Sequence, residues 1–257
     1  MGRELQLSDA FVGLADTLAD DFDVVDLFDR LGAHCVALTG ADAVGILMAD
    51  GRGRLRVIAA SQERAQLLEL LQLHSGQGPC VECYTRGAPV AVPRIASQRA
   101  RWPRLVPAVL DAGFAAVFTV PLRLREKTIG AVNPFYPAAD PAVDVDLHLA
   151  QVLADVAALA MLQWPPRPGR PEDVVADLQA AITGRVAIEQ AKGVLAQSGG
   201  LSVAEAGAAL RAYAQAHRVR LTDVARGLVR RTLEPGTVLR AVSRQDAEDS
   251  QNMAGAD

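Results

Sequence analysis

Apolar residues recur at helical spacing near the start of the chain and at strand spacing after it. From Asp9 onward they return every three or four residues on one broad stripe, which predicts helix. The stripe consists of Phe11, Leu14, Leu18, Phe22, Val25, Leu27, Phe28, Leu31, Cys35 and Leu38. Farther on, Asp50-Gly51-Arg52-Gly53 predicts a hairpin turn, because Asp-Gly readily adopts the positive φ angles that such turns need.

The runs that follow complete an α-β-β-α-β-α-β-β-α order. Strands are predicted at 43–48, 55–60, 115–121 and 128–133, an extended run at 89–92, and helices at 63–73 and 103–111. Asn133-Pro134 is expected to break the last strand, since proline donates no hydrogen bond to a ladder. From Val145 apolar residues return at helical spacing, which predicts a long helix that closes this domain.

A proline-rich stretch, PPRPGRP at residues 165–171, separates this domain from a second one. Proline interrupts helices, and proline-rich linkers are extended and semi-rigid, so we expect the linker to pass a change between the domains. The helix predicted after it carries more apolar surface than two partner helices would cover. We expect a dimer contact through Val174, Leu178 and Ile182, with packing against the first domain as the alternative.

Local signals place the remaining helices. Ser202 and Glu205 form a capping box, which predicts that a helix begins there, and Gly199-Gly200 ends the helix before it. A turn at 217–220 precedes a third helix that ends near Leu233. The predicted organisation is an N-terminal tail at 1–10, a first domain at 11–164, a linker at 165–172, a second domain at 173–234 and a disordered tail at 235–257.

Basic charge is concentrated in the second domain. Between Arg211 and Arg231 there are six arginines and one aspartate, although the net charge of the chain is −4. Such local density is typical of polyanion binding, because neutralised phosphates release counterions, and arginine also stacks on unpaired bases. The alternative is a solvated helical surface, since the wider segment 171–234 is nearly balanced in charge.

The segment from Arg185 to Leu233 resembles the ANTAR domain, an RNA-binding module that controls transcription antitermination. The resemblance is carried by Arg185, Ile188, Ala191, Lys192, Gly193, Leu195, Ser202, Glu205, Ala206, Leu210, Arg211, Ala214, Leu221, Asp223, Val224 and Ala225. Together with the local charge, it assigns RNA contact to Arg185, Lys192, Gly193, Arg211, Arg218, Arg220 and Arg226. Gly207 departs from the family pattern, in which a large residue often follows Ala206. We therefore expect looser packing there, with Tyr213 filling the space.

The first domain is similar to GAF domains joined to ANTAR modules. The similarity is carried by GQGPC at 76–80, RGAPV at 86–90, VPLR at 120–123, IGAVN at 129–133 and the opening LADTLADDFDVVDLFDRL at 14–31. It implies an α+β chain, with an antiparallel sheet flanked by helices and then an all-α three-helix domain. It also implies sensing of a small molecule or signal, without catalysis.

We therefore expect a signal-responsive RNA-binding regulator of transcription antitermination. Its expected partners are RNA hairpins, a second copy of the chain and an unidentified small-molecule ligand of the first domain, with no cofactor. We expect a cytoplasmic protein without a membrane span, because three cysteines fit a reducing compartment and no apolar run is long enough to cross a bilayer. The main alternative is a helix-turn-helix DNA-binding regulator with the same sensor.

Cys80 and Cys83 have the spacing of half a zinc site or of a redox pair. The sequence shows no second CxxC and no adjacent histidine pair, so we assign no metal site. Structural packing is one interpretation of these cysteines, and a ligand or redox site is the other. An enzyme with either cysteine as nucleophile is a further alternative, but it lacks a visible base, so we assign no catalytic residue.

Overall fold

The structure is a computed structural model that describes residues 3–15, 23–50, 52–139, 143–163 and 171–241. The chain divides into two compact units. The first comprises Met1–Thr17 and Asp26–Ile182, and the second comprises Leu18–Val25 and Thr183–Asp257. The boundary after residue 182 lies beyond the predicted linker, whose residues 165–170 are outside the described ranges.

Helices and strands alternate over the first 163 residues much as the sequence predicts. They are α1 (Arg3–Ala15), α2 (Val24–Thr39), β1 (Ala43–Ala49), β2 (Leu55–Ala60), α3 (Glu63–Ser75), α4 (Pro79–Arg86), β3 (Val90–Val92), a 3-10 turn (Ile95–Gln98), α5 (Leu105–Asp111), β4 (Ala116–Leu124), β5 (Lys127–Tyr136) and α6 (Val143–Gln163).

Two helices differ from the prediction. Helix α1 begins at Arg3, so residues 3–10 are not the predicted tail. Ala10 and Leu14 on α1 are fully buried, and α1 packs on α6. Helix α4 was missed, because eight residues are too few for an apolar period to emerge.

The strands form one antiparallel sheet in the order β2-β1-β5-β4-β3. Because side chains alternate between faces, Leu47, Val117 and Phe135 lie on one face, in a core shared with α3, α4 and α5. On the opposite face the rings of Phe118 and Tyr136 pack against each other, with centroids 4.9 Å apart and planes inclined by 49°. Helix α6 packs on β4 and β5. The sheet is therefore buried on both sides.

Strand β5 continues through Pro134, so the predicted break is wrong. Pro134 is paired with Val44 of β1, whose own N–H donates instead to Ser61 Oγ at 2.9 Å. On the other side, the pairing of β4 with β5 passes from Val117 opposite Phe135 directly to Val120 opposite Val132. The ladder therefore tolerates the proline by leaving a local gap on the β4 side.

The second unit is helical. Its elements are the C-terminal part of α7 (Pro171–Gly199), α8 (Val203–His217), α9 (Leu221–Val229) and a further helical stretch at residues 235–241. The apolar positions that its helices bury include Ile188, Ala191, Leu195, Ala206, Ala209, Leu210, Ala214, Leu221, Val224, Ala225, Leu228 and Val238.

The capping box and the glycine stop of the second unit are confirmed, whereas the third helix ends at Val229 and not near Leu233 as predicted. Ser202 Oγ accepts from the Glu205 N–H at 3.2 Å, and a Glu205 carboxylate oxygen accepts from the Ser202 N–H at 2.8 Å. Gly200 ends α7 at a φ of 64°. The predicted disordered tail is wrong for residues 235–241, because the burial of Val238 stabilises a helix there. Residues 242–257 lie outside the described part of the chain.

Candidate functional site

Arg185, Glu189 and Lys192 form an ion-pair ladder on α7. Arg185 Nη2 and Lys192 Nζ each lie 2.9 Å from the same oxygen, Glu189 Oε1. The spacings of four and three residues place all three side chains on one helix face. Only 15% of the Arg185 side chain and 12% of the Lys192 side chain are exposed. The ladder therefore holds both cations in fixed positions close to the body of the unit.

Gly207 on α8 lies against this ladder. An ideal Cβ at Gly207 would be 3.2 Å from Lys192 Cε and 3.9 Å from Arg211 Nη1. The side chains of Lys192 and Arg211 thus both approach the bare backbone of the glycine. The predicted filling of this space by Tyr213 is wrong, because the aliphatic stem of Lys192 occupies it.

The other predicted RNA contacts lie elsewhere on the second unit. Arg218 and Arg220 are exposed at the corner between α8 and α9, where Arg218 has a left-handed φ of 52° and Arg220 directly precedes the first residue of α9. Arg226 on α9 lies 3.5 Å from Asp223, and Gly193 is exposed on α7. The structure thus brings Arg185, Lys192 and Arg211 together around Glu189 and Gly207, and it places Arg218 and Arg220 in a second, more exposed group.

A buried carboxylate that sequence reasoning missed holds the start of α9. Asp23 is 5% exposed, and its Oδ2 accepts from the N–H of Thr222 at 2.8 Å. Its Oδ1 accepts from the N–H of Val25 at 2.9 Å. The first amides of a helix lack intrahelical partners and carry partial positive charge, so a carboxylate there stabilises the helix. An acidic residue before an apolar run signals a local cap, but nothing in the sequence indicates a partner 199 residues away.

Gly184 on α7 allows the backbone to approach this cap. An ideal Cβ there would lie 2.6 Å from Thr222 Cγ2. The first turn of α9 is thus packed against a glycine as well as capped by Asp23. Val174, Leu178 and Ile182, the predicted dimer contacts, precede Gly184 on the same helix, and their side chains lie outside what the structure describes.

A polar cluster is buried in the first unit between the sheet and helices α3 and α4. Glu69 Oε1 accepts from Asn133 Nδ2 at 2.7 Å, and Glu69 Oε2 accepts from Gln72 Nε2 at 2.9 Å. Gln72 Oε1 in turn accepts from the backbone N–H of Cys80 at 3.1 Å. Glu69, Gln72 and Asn133 are all 0% exposed. The network ties two helices to the central strand of the sheet.

Two glycines make room for this cluster. An ideal Cβ at Gly45 of β1 would collide with the Glu69 side chain, and one at Gly78 would collide with Gln72. Gly78 also has a φ of 137°, which favours glycine. Gly78 belongs to the GQGPC stretch, so that motif positions α4 over the buried carboxyl group.

Two side-chain oxygens at this cluster have no hydrogen-bond partner among the described residues. Thr119 Oγ1 and Asn133 Oδ1 are buried and make no hydrogen bond within the described part of the chain. Thr119 lies two positions after Val117, and Asn133 lies two positions before Phe135. Val117 and Phe135 both belong to the core shared with α3, α4 and α5, so Thr119 and Asn133 lie on that same sheet face. A buried polar atom without a partner is costly, so this face retains unused hydrogen-bonding capacity.

Cys80 and Cys83 lie on α4 beside the polar cluster, and both are unbridged and fully buried. Burial raises the pKa of Cys83 to about 12, and burial followed by the charge of Glu69 raises the pKa of Cys80 well above its ordinary value. Reactive cysteines are thiolates in accessible, electropositive surroundings. These surroundings favour the packing interpretation of both residues over the redox one.

Glu69 is expected to make stability depend on pH. Burial raises its pKa from 4.5 to about 8, so the folded chain keeps a proton there that the unfolded chain loses. The protonated Glu69 side chain contributes its full stabilisation below pH 4.5, and this contribution is lost as the pH rises from there to about 8. We therefore expect the free energy of unfolding, measured by denaturant titration, to fall across this window.

The neutral variant Glu69→Gln tests this assignment, because its amide does not ionise. It should fold and lack this pH dependence. A variant that retains the full dependence would assign it to another group.

Within the described ranges, no cluster of three or more histidine, cysteine, aspartate or glutamate side chains is arranged to hold a metal ion. In the same residues, no helix has both the length and the apolar character needed to cross a bilayer.

Two family models match the chain, one over its N-terminal part and one over its C-terminal part. The family model described as GAF domain matches residues 23–162, and the model described as ANTAR domain matches residues 176–229. No curated protein matches the chain.

Solved structures resemble part of the chain at low identity. The free methionine-R-sulfoxide reductase of Neisseria meningitidis is 16% identical, with a TM-score of 0.47 over 62% of this chain and 87% of its own. The GAF domain of an Acinetobacter phosphoenolpyruvate-protein phosphotransferase is 12% identical, with a TM-score of 0.48 over 62% of this chain and 93% of its own.

The two family matches agree with the fold, since the GAF match includes the five-stranded sheet and helices α2 to α5, and the ANTAR match runs from within α7 to the end of α9. Both are regulatory domains. The chain therefore belongs to the GAF domain family and carries a C-terminal ANTAR domain.

Proposed function

We propose that this chain is a signal-responsive regulator of transcription antitermination whose ANTAR domain binds RNA hairpins. The observation that carries the proposal is the exposed corner of Arg218 and Arg220 within the ANTAR match. Exposed guanidinium groups bind phosphate bidentately and stack on unpaired bases, which suits hairpin loops. We assign direct RNA contact to this corner.

Arg185 and Lys192 are assigned a positioning role in the same proposal. Both are largely covered, and both are held by Glu189. Lys192 also fills the space over Gly207 next to Arg211. The ladder thereby sets how α8 lies on α7 and where Arg211 is presented.

The corner is tested by Arg218→Ala with Arg220→Ala in the full chain. The probe is a library of RNA hairpins with a fixed stem and a randomised loop, from which the wild-type chain enriches its preferred members. Loss of two phosphate contacts should weaken binding by about tenfold and reduce the slope of log affinity against log salt by roughly 1.5. Gel-shift titration over a salt series measures both.

Arg99→Ala with Arg104→Ala is the matched control, because it removes two exposed arginines from the first unit. It should leave hairpin affinity nearly unchanged. Equal losses of hairpin affinity in the two double variants would show that the effect depends only on net charge. Preference of the wild-type chain for duplex DNA over hairpins would instead favour the helix-turn-helix alternative.

We also propose that the chain acts as a homodimer through α7. Val174, Leu178 and Ile182 recur every four residues, a spacing that places them on one face of the helix. A dimer would present two RNA-binding corners at once. Light scattering of the samples used in the titrations gives the assembly state that binds.

For the first unit we propose sensing of a small molecule at the polar cluster. The unpartnered Thr119 Oγ1 and Asn133 Oδ1 support this assignment, since they can accept hydrogen bonds from a donor that the described protein atoms do not supply. Glu69 and Gln72 connect the same cluster to α3 and, through Cys80, to α4. A ligand that displaces one of these bonds would therefore move a helix.

A further inference from the structure

We infer that the paired rings of Tyr213 and His217 form a stacking platform for one unpaired base of the bound RNA. The inference rests on the proposed RNA-binding function and adds a base contact to it. The ring centroids are 4.0 Å apart, and the planes are inclined by 21°. The two residues are four apart on α8, so the rings lie one above the other on the same helix face.

The orientation of the imidazole is fixed by the helix. His217 Nδ1 lies 2.9 Å from the carbonyl oxygen of Tyr213, and because a carbonyl only accepts, Nδ1 donates. Tyr213 is half-buried and anchors the pair, whereas His217 is exposed. The platform is thus a flat aromatic surface that is ordered before any ligand arrives.

The platform lies next to the basic corner. His217 is the last residue of α8, and the exposed Arg218 and Arg220 follow it at the turn into α9. The left-handed backbone of Arg218 reverses the chain there, so aromatic and cationic groups share one end of the helix. A ligand that combines a planar ring with flanking phosphates matches this arrangement.

An unpaired nucleotide is such a ligand. Single-stranded bases stack on aromatic and imidazole rings, while arginines bind their phosphates. Bases inside a duplex stack on each other and offer no face to a protein ring. The platform therefore favours a loop or bulge over a stem, which a purely electrostatic corner would not do.

The test uses the hairpin that the wild-type chain enriches from the randomised-loop library. Each loop base is removed in turn to leave an abasic site, and each is replaced in turn by 2-aminopurine, whose fluorescence falls on stacking. We expect one loop position where base removal weakens wild-type binding by about tenfold. At that position 2-aminopurine should be quenched on binding.

The protein side of the test uses His217→Ala and Tyr213→Leu. Each should weaken the intact hairpin by a similar factor but leave the affinity for the abasic hairpin unchanged, since a lost stack cannot be lost twice. His217→Phe should retain binding and quenching. Gln215→Ala, an exposed neighbour outside the ring pair, is the matched control and should change neither.

The outcomes separate this inference from the proposed function. A wild-type chain that enriches no hairpin overturns both. Hairpin binding that depends on Arg218 and Arg220, with no coupling between the abasic site and His217→Ala, overturns only the platform. Because His217 is exposed, its substitution leaves the packed interior of the unit intact, so weaker hairpin binding by His217→Ala cannot be attributed to unfolding.

Discussion

Gly45→Ala is expected to destabilise the first unit by about 3 kcal/mol or more, because an added Cβ collides with a side chain that cannot move away cheaply. The new atom would lie 2.6 Å from Glu69 Cγ and 2.8 Å from Glu69 Cδ. Glu69 is held at both carboxyl oxygens, by Asn133 and by Gln72. Either the helix must shift or two buried hydrogen bonds must break. Thermal and denaturant unfolding of the full chain measure the loss.

Two comparisons isolate the collision. Gly193→Ala places a methyl group on an exposed helical position with nothing within 4 Å, so it should be neutral or stabilise by about 0.5–1 kcal/mol. The double variant Gly45→Ala with Glu69→Ala removes the obstructing side chain, so its loss should be smaller than the sum of the single losses. Strictly additive losses would show that the two residues do not collide.

Asp23→Ala is expected to destabilise the second unit by about 2 kcal/mol, since it removes a buried helix cap and leaves the Thr222 amide without a partner. Asp23→Asn should lose less, because one oxygen can still accept from Thr222 or from Val25. The sensitive measurement is hydrogen exchange at the first turn of α9, where the protection of the Thr222 amide should fall most. This readout is local, so it does not require the two units to unfold together.

Glu126→Ala serves as the control, because it removes an acidic group from the exposed turn between β4 and β5. It should leave exchange in α9 unchanged. If Asp23→Ala also leaves the Thr222 amide protected, the carboxylate is not the cap that the structure shows.

Most of the secondary structure could be read from the sequence, because it depends on contacts within a few residues. The capping box of Ser202 and Glu205 operates over three residues, and it marks the start of α8 correctly. Helix α4 left a weaker signal, with Pro79 at its start and Gly87 just past its end. That asymmetry would have located the helix where the apolar period could not.

The candidate sites were predicted less completely. Charge density and motif spacing nominated the RNA-contact positions but said nothing of their exposure. The structure shows Lys192 largely covered and paired, because Gly207 on a different helix leaves space for its stem. Residue types in a motif indicate what chemistry is present. How much of a side chain reaches solvent depends on the helix packed against it.

The sequence by itself determined the order of the strands, the end of α7 and the start of α8, the concentration of arginines and the resemblance to GAF and ANTAR domains. Tertiary structure alone decided which groups meet. Glu69 meets Asn133 across 64 residues, and Asp23 meets Thr222 across 199 residues. Neither pairing leaves a local pattern, because a carboxylate that caps a distant helix or occupies a buried cluster has the same neighbours in sequence as one that faces water. The physical reason is that local propensity acts along the chain, whereas burial is a property of the assembled fold.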